Sequence, residues 1–354
     1  MKVYYPKNLC NQKNRSHLFP LLKPFIKNNS FSDEQRVNMY HISAATISFE
    51  NKLSDAEIII LPMSWNYYLE NKQKQKAVNF VKLAIEQNKK VWSFTNGDFG
   101  VEIPIIKNVL VFRASGEKSK LPSNHIGLPS LIEDPLKKQF DKTEIFVNEY
   151  KLKPSIGFCG QSNGSIINAG MEISRTILRN LKYYWNLSNE VPQKVQSTSS
   201  IRAKALNLIK KSILLESTII ERKKYRAGAK TVDEKTATTK DFYNNIKNTD
   251  YTICIRGAGN FSVRLYETLA MGRIPILINT DCLLPLNDVI DWKKHVVWVE
   301  KNEINNLEEK VLKFHNVMTP KEFKNLQQAN RTLWEESLTL GGFFKTFIKV
   351  KQQQ

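Results

Sequence analysis

At 354 residues the chain exceeds the size at which a single core keeps growing, so two domains of about 150 residues each are expected. Hydrophobic residues make up 41% of it, with 18 Phe, 12 Tyr and 6 Trp, which excludes an intrinsically disordered class. The formal net charge of +19 implies an anionic partner: phosphate, nucleic acid or a membrane surface.

The opening MKVYYPKNLC lacks the apolar core of a signal peptide, and no stretch reaches the roughly 18 uninterrupted apolar residues of a membrane span, so a cytoplasmic location is expected. Within it KVYYP reads as a short strand. EIIILP at 57–62 reads as another, ended by Pro62, and both suit a buried parallel sheet. Between Asn71 and Lys90, Ala77, Val78, Val81, Ala84 and Ile85 fall at helical spacing, and the strand VWSFT with the turn Asn96-Gly97-Asp98 follows. This alternation is that of an α/β protein. From Phe112 to Pro154 periodicity fades among four prolines before the apolar strand SIGFCG. The domain boundary is placed there: an N-terminal domain over 1–150, a C-terminal one over 151–318, and a helical tail over 319–354 that can pack back on the first.

Residues 201–230 read as a strongly basic helix, either a solvated face or a surface for an anionic acceptor or lipid headgroups. Beyond Asp241 come a helix (DFYNNIKNT), the strand YTICI, a glycine loop, the helix VRLYETLAMG and the strand IPILI, a βαβ unit. Cys10, Cys159, Cys254 and Cys282 are isolated, without metal-site spacing, and read as buried reduced thiols.

The chemistry concentrates in RGAGNFSVRLYETLAMGRIPILINTD, Arg256 to Asp281. Gly257 and Gly259 follow a strand, and Asn260 or Ser262 can cap the helix that opens at Val263, leaving backbone N–H groups for an anion. Arg264 stands in the first helical turn, where a cation opposes the macrodipole unless it meets a negative charge, which favours a phosphate. Glu267, three residues on, can pair with Arg264 or accept hydrogen bonds from a ribose diol. The loop is neither a Walker loop nor a GxGxxG fingerprint.

These residues resemble the exostosin-type glycosyltransferases. The likeness runs through Cys254-Ile255-Arg256-Gly257, Ser262-Val263-Arg264, Glu267, Gly272-Arg273-Ile274-Pro275, Asp281, Leu284-Pro285 and Ile290-Asp291-Trp292, with fainter matches at Gly157-Phe158-Cys159-Gly160, Arg175 and Asp98-Phe99-Gly100. The resemblance implies a GT-B fold, two Rossmann-like domains facing across a cleft, with a nucleotide-sugar donor (UDP- or GDP-sugar) in the C-terminal domain and an oligosaccharide or glycolipid acceptor mainly in the N-terminal one. It implies inverting transfer without a metal, in cell-surface polysaccharide or lipopolysaccharide synthesis, and no further cofactor. The chain has no Asp-x-Asp pair to hold a divalent ion; Asp288 and Asp291 read as structural around Trp292.

The donor site is then assigned to Gly160, Arg175, Arg256, Gly257, Gly259, Asn260, Ser262, Val263, Arg264 and Glu267. Inversion requires a general base, for which Asp98 at the carboxyl end of VWSFT is the first candidate and His17 the second, with His125 behind them. Trp65, Tyr67 and Tyr68 are either core residues or platforms for an acceptor sugar. The chain lacks the motifs of nucleic-acid binding proteins. The alternative is a non-catalytic polyanion- or glycan-binding protein. A peripheral position on the inner face of the cytoplasmic membrane is compatible with the basic excess.

Overall fold

The computed structural model describes residues 1–26, 31–104 and 106–353. In the first domain β1 (Lys2–Tyr4), α1 (Asp33–Tyr40), β2 (Ser48–Phe49), β3 (Ile58–Ile60), α2 (Trp65–Glu70), α3 (Lys74–Glu86), β4 (Lys90–Phe94), β5 (Val109–Arg113) and β6 (His125–Gly127) follow one another along the chain. The strands form one six-stranded sheet in the order β2-β1-β3-β4-β5-β6, parallel throughout. The helices of βαβ connections cover both faces of a parallel sheet, which is why Ile58, Ile59 and Ile60 form an uninterrupted buried run.

α4 (Pro135–Phe140) lies in the connection to the second domain. There β7 (Ser155–Gln161), α5 (Ile166–Tyr184), α6 (Thr198–Lys211), β8 (Glu216–Arg222), α7 (Val232–Lys247), β9 (Tyr251–Cys254), α8 (Val263–Ala270), β10 (Ile274–Asn279), β11 (Val297–Glu300) and α9 (Leu307–Asn316) build a second parallel sheet, ordered β11-β10-β9-β7-β8. The chain is thus an α/β protein of two Rossmann-like sheets with a cleft between them.

The chain returns through α10 (Pro320–Leu333) and α11 (Leu340–Gln353). In α11, Phe344 stacks on Trp92 with ring centroids 5.6 Å apart and Phe347 meets Phe112 at 5.3 Å, so the chain's end completes the first domain's core. Arg331 of α10 is buried and holds Asp134, just before α4, at 2.6 Å. The fully buried Arg273 donates to the Lys247 carbonyl and to the side chains of Asn148 and Gln327. Arg273 of the Gly-Arg-Ile-Pro motif therefore seats the inter-domain connection and takes no part in the cleft.

Two departures from the sequence reading stand out. The basic helix expected over 201–230 stops at Lys211, and Glu216–Arg222 is an edge strand paired residue for residue with β7. The segment ESTIIER carries β-branched residues, and its pairing outweighs any helical tendency. In the stretch of faded periodicity, β5 and β6 extend the first sheet. No helix of the described residues is long and apolar enough to cross a membrane.

Candidate active site

Between the domains lies a cleft of about 940 Å³ at the carboxyl ends of β4, β7 and β9, where open α/β sheets present their binding crevices. Of the residues expected in the donor site, Gly160, Arg175, Arg256, Gly257, Gly259, Ser262, Val263, Arg264 and Glu267 line it, and Asp98 faces them from the first domain.

At Gly259 the glycine loop comes close to the Asp98 turn. A Cβ there would lie 2.5 Å from the Phe261 ring and 2.9 Å from the Asp98 carbonyl oxygen. Only a residue without a side chain lets the glycine loop and the Asp98 turn meet. Gly259→Ala is expected to push the two apart, lowering stability by about 1–3 kcal/mol in denaturant melts and slowing transfer.

Asn260 does not cap α8. It is buried and bridges the domains: its amide donates to the carbonyls of Gly116 (2.9 Å), Thr280 (3.0 Å) and Asp281 (2.9 Å), while its backbone N–H donates to Ser115 Oγ at 2.8 Å. Ser262 occupies the N-cap position, with φ/ψ of −131°/114°, but makes no side-chain cap bond. The first N–H groups of α8 are thus left without a side-chain cap at the cleft wall.

Arg264 rises from α8 against β7. A Cβ on Gly160 would lie 2.7 Å from its Nη2, so this glycine makes room for the guanidinium. The group lies over the Phe158 ring, 4.2 Å from its centroid, and donates to the carbonyls of Cys159 (2.8 Å) and Ile253 (3.3 Å). Glu267 accepts instead from the Tyr243 hydroxyl at 3.2 Å. Burial raises its carboxyl above the ordinary range, an effect that Arg264 and Tyr243 oppose. Arg256 donates to the Ala258 carbonyl at 2.9 Å, and the charge of Asp98 is among those stabilising its protonated form against burial.

Arg202, which the sequence placed on a basic helix without assigning it to the site, reaches the cleft floor from α6. It donates to the carbonyls of Gln161 (2.6 Å) and Arg256 (3.2 Å). Its pKa is pushed down to about 10, first by burial and then by Arg264. The buried Nε atoms of Arg202, Arg256 and Arg264 all lack a hydrogen-bond partner. Among the described residues, eight cationic side chains line the cleft against three acidic ones, Asp98, Glu172 and Glu267. Glu172 accepts from Ser197 Oγ (2.8 Å) and the Ser199 N–H (3.2 Å).

Asp98 stands on a turn whose Phe99 ring packs under Arg179, 3.7 Å from centroid to guanidinium carbon. His17 is outside the cleft lining; its Nδ1 is 2.7 Å from Ser64 Oγ, although its loop adjoins the same turn through an Asn96 to Ser16 hydrogen bond of 3.2 Å. His125 sits on β6 beside Arg113, and burial lowers its pKa to about 4. Trp65, Tyr67 and Tyr68 are all buried, so of the two roles open to them the core one holds: α2 turns them inward. Trp292 is likewise buried, its Nε1 donating to the Pro285 carbonyl at 3.1 Å.

Residues 171–313 match the family described as the Exostosin GT47 domain. A "Probable glucuronosyltransferase GUT1" of Oryza sativa subsp. japonica is 30% identical over 67 residues, which is 19% of this chain and 16% of that protein. "Exostosin-1" of Drosophila melanogaster is 27% identical over 95 residues, 27% of this chain and 12% of that one. The chain thus matches less than a fifth of the length of these relatives. Among solved structures TarM aligns with 84% of this chain and 55% of its own at 12% identity and a TM-score of 0.34. The span 171–313 that matches the Exostosin GT47 domain contains the glycine loop, α8 and the arginines of the cleft floor.

Proposed function

We propose that the protein transfers a sugar from a nucleoside-diphosphate sugar to a glycan acceptor, an oligosaccharide or glycolipid of cell-surface polysaccharide or lipopolysaccharide synthesis, with inversion at the anomeric carbon. The observation that carries this reading is the convergence of Arg202, Arg256 and Arg264 from three elements onto one cleft floor beside the uncapped start of α8. Burial, and after it the neighbouring Arg264, disfavours the charged form of Arg202, and a diphosphate against these guanidiniums relieves that cost.

In the proposed reaction an acceptor hydroxyl oxygen attacks the anomeric carbon as the bond from that carbon to the phosphate oxygen breaks. The proton passes to the Asp98 carboxylate, and the nucleoside diphosphate leaves with its negative charge held by the arginines and the α8 N–H groups. Glu267 accepts from the ribose hydroxyls. UDP and GDP are the expected nucleotides.

The test is a panel of UDP-, GDP- and CMP-sugars in thermal unfolding. A bound donor at one hundred times its dissociation constant stabilises by about 2.7 kcal/mol. Stabilisation with slow donor hydrolysis supports the reading; binding of sulfated or phosphorylated glycans with no donor turnover would identify a non-catalytic polyanion-binding protein instead. Because the arginines supply the charge that a divalent ion supplies in other transferases, EDTA is expected to leave the initial rate unchanged. Loss of activity restored by manganese refutes metal independence.

A further inference from the structure

α5 is built the wrong way round for a helix of a soluble domain. Its polar face, with Glu172, Arg175 and Arg179, lines the cleft. Its apolar face points outward, and none of its 19 residues is fully buried. At 100° per residue, Ile167, Met171, Leu178 and Trp185, the residue that ends the helix, fall on one stripe. Ile166, Ile177 and Tyr184 form a second stripe beside it. All seven are exposed, Ile166 at 90%, Ile167 at 77% and Trp185 at 63%. Contiguous apolar surface of this kind marks an interaction site, since scattered exposed residues do not line up along a helix.

Charge decides the occupant. Glu172, the one acidic residue of α5, is held in the cleft by Ser197 and Ser199, so the outward face carries no negative group. Lys182 borders the apolar stripe. Next to the helix's start, Gly164 shares a shallow groove with Lys204 and Lys211 of α6, and the exposed Ile213 (85%) follows at the end of that helix. An apolar stripe with Trp and Tyr at one end and lysines along its margin fits the interface of an anionic bilayer: side chains enter the acyl boundary while ammonium groups meet phosphates.

We infer that α5 docks the protein in the plane of an anionic lipid surface, with its other face serving as a wall of the cleft. The sequence suggested a lipid-facing surface over 201–230; in the structure the apolar portion of that surface falls on the preceding helix. The inference concerns the outer face of α5 and stands whether or not the cleft takes a nucleotide-sugar.

The experiment is co-sedimentation of the full chain with vesicles of phosphatidylcholine alone and with added phosphatidylglycerol, at low and high salt. Binding is expected to anionic vesicles, to weaken by about tenfold on neutral ones, and to fall by about tenfold or more in Ile167→Glu/Leu178→Glu, whose side chains are mostly exposed. Lys182→Glu/Lys204→Glu is expected to weaken binding and its salt dependence while leaving the apolar stripe intact. Thermal melts of both variants should match the parent. Failure of the unaltered chain to bind anionic vesicles overturns the inference. So does a dimer in analytical ultracentrifugation that Ile167→Glu/Leu178→Glu converts to monomer, because a second copy would then be what covers the face.

Discussion

Asp98→Asn is expected to lower kcat by about 10²- to 10⁴-fold, the usual contribution of a general base, while the dissociation constant of the donor changes by less than about twofold. The carboxylate lies on the first domain's side of the cleft, and the donor contacts proposed here come from the second. Asn is isosteric and keeps the turn, on which the Phe99 ring stacks under Arg179. What it loses is the capacity to take the acceptor proton. It also removes a negative charge near Arg256, so a modest gain in donor affinity is compatible with the assignment. The measurement is a pair of titrations, initial rate against acceptor and binding of the nucleotide by calorimetry. If kcat survives in Asp98→Asn and collapses in His17→Ala, the base belongs to the first loop. In that case the Ser64 hydroxyl, 2.7 Å from His17 Nδ1, is the group that orients it.

Arg264→Ala is expected to cost about 10²- to 10³-fold in kcat, the size seen when one preorganised donor to a developing anion is removed. The same change leaves the carbonyls of Cys159 and Ile253 without their guanidinium donor, so stability falls by about 1–3 kcal/mol and rates must be normalised to folded protein. Arg264→Lys separates the two effects. It keeps a positive charge at the cleft floor but cannot bond both carbonyls and stack on Phe158 at once, so it should recover some of the rate and little of the stability. Near-parental activity in folded Arg264→Ala removes this residue from the leaving-group site. Glu267→Ala, by contrast, should show mainly as weaker nucleotide binding.

The N-terminal assignments and the donor assignments differ in how far sequence could carry them. The glycine loop, α8 and Arg264 are contiguous in the chain, from Gly257 to Ala270, so strand-loop-helix periodicity places them together before any tertiary contact is known. That locality made the candidate segment legible as one unit, and it falls within the matched span 171–313. Asn260 shows the limit: a helix cap and an inter-domain bridge demand the same residue type, and only the arrival of Ser115 and Gly116 from the other domain selects between them. Trp65, Tyr67 and Tyr68 show it again, since an aromatic after a strand suits a core and a sugar platform equally until α2 turns them inward.

Alternation of apolar runs and helical spacing, a property of neighbours in the chain, determined by itself that this is an α/β protein in which YTICI leads through a glycine loop into a helix. The tertiary structure alone decided what depends on distant partners: that Glu216–Arg222 pairs as an edge strand, that Arg202 reaches the cleft, and that α5 leaves its apolar side uncovered. Each is settled by which surface is removed from water, and burial is a property of the packed whole, invisible to any window along the chain.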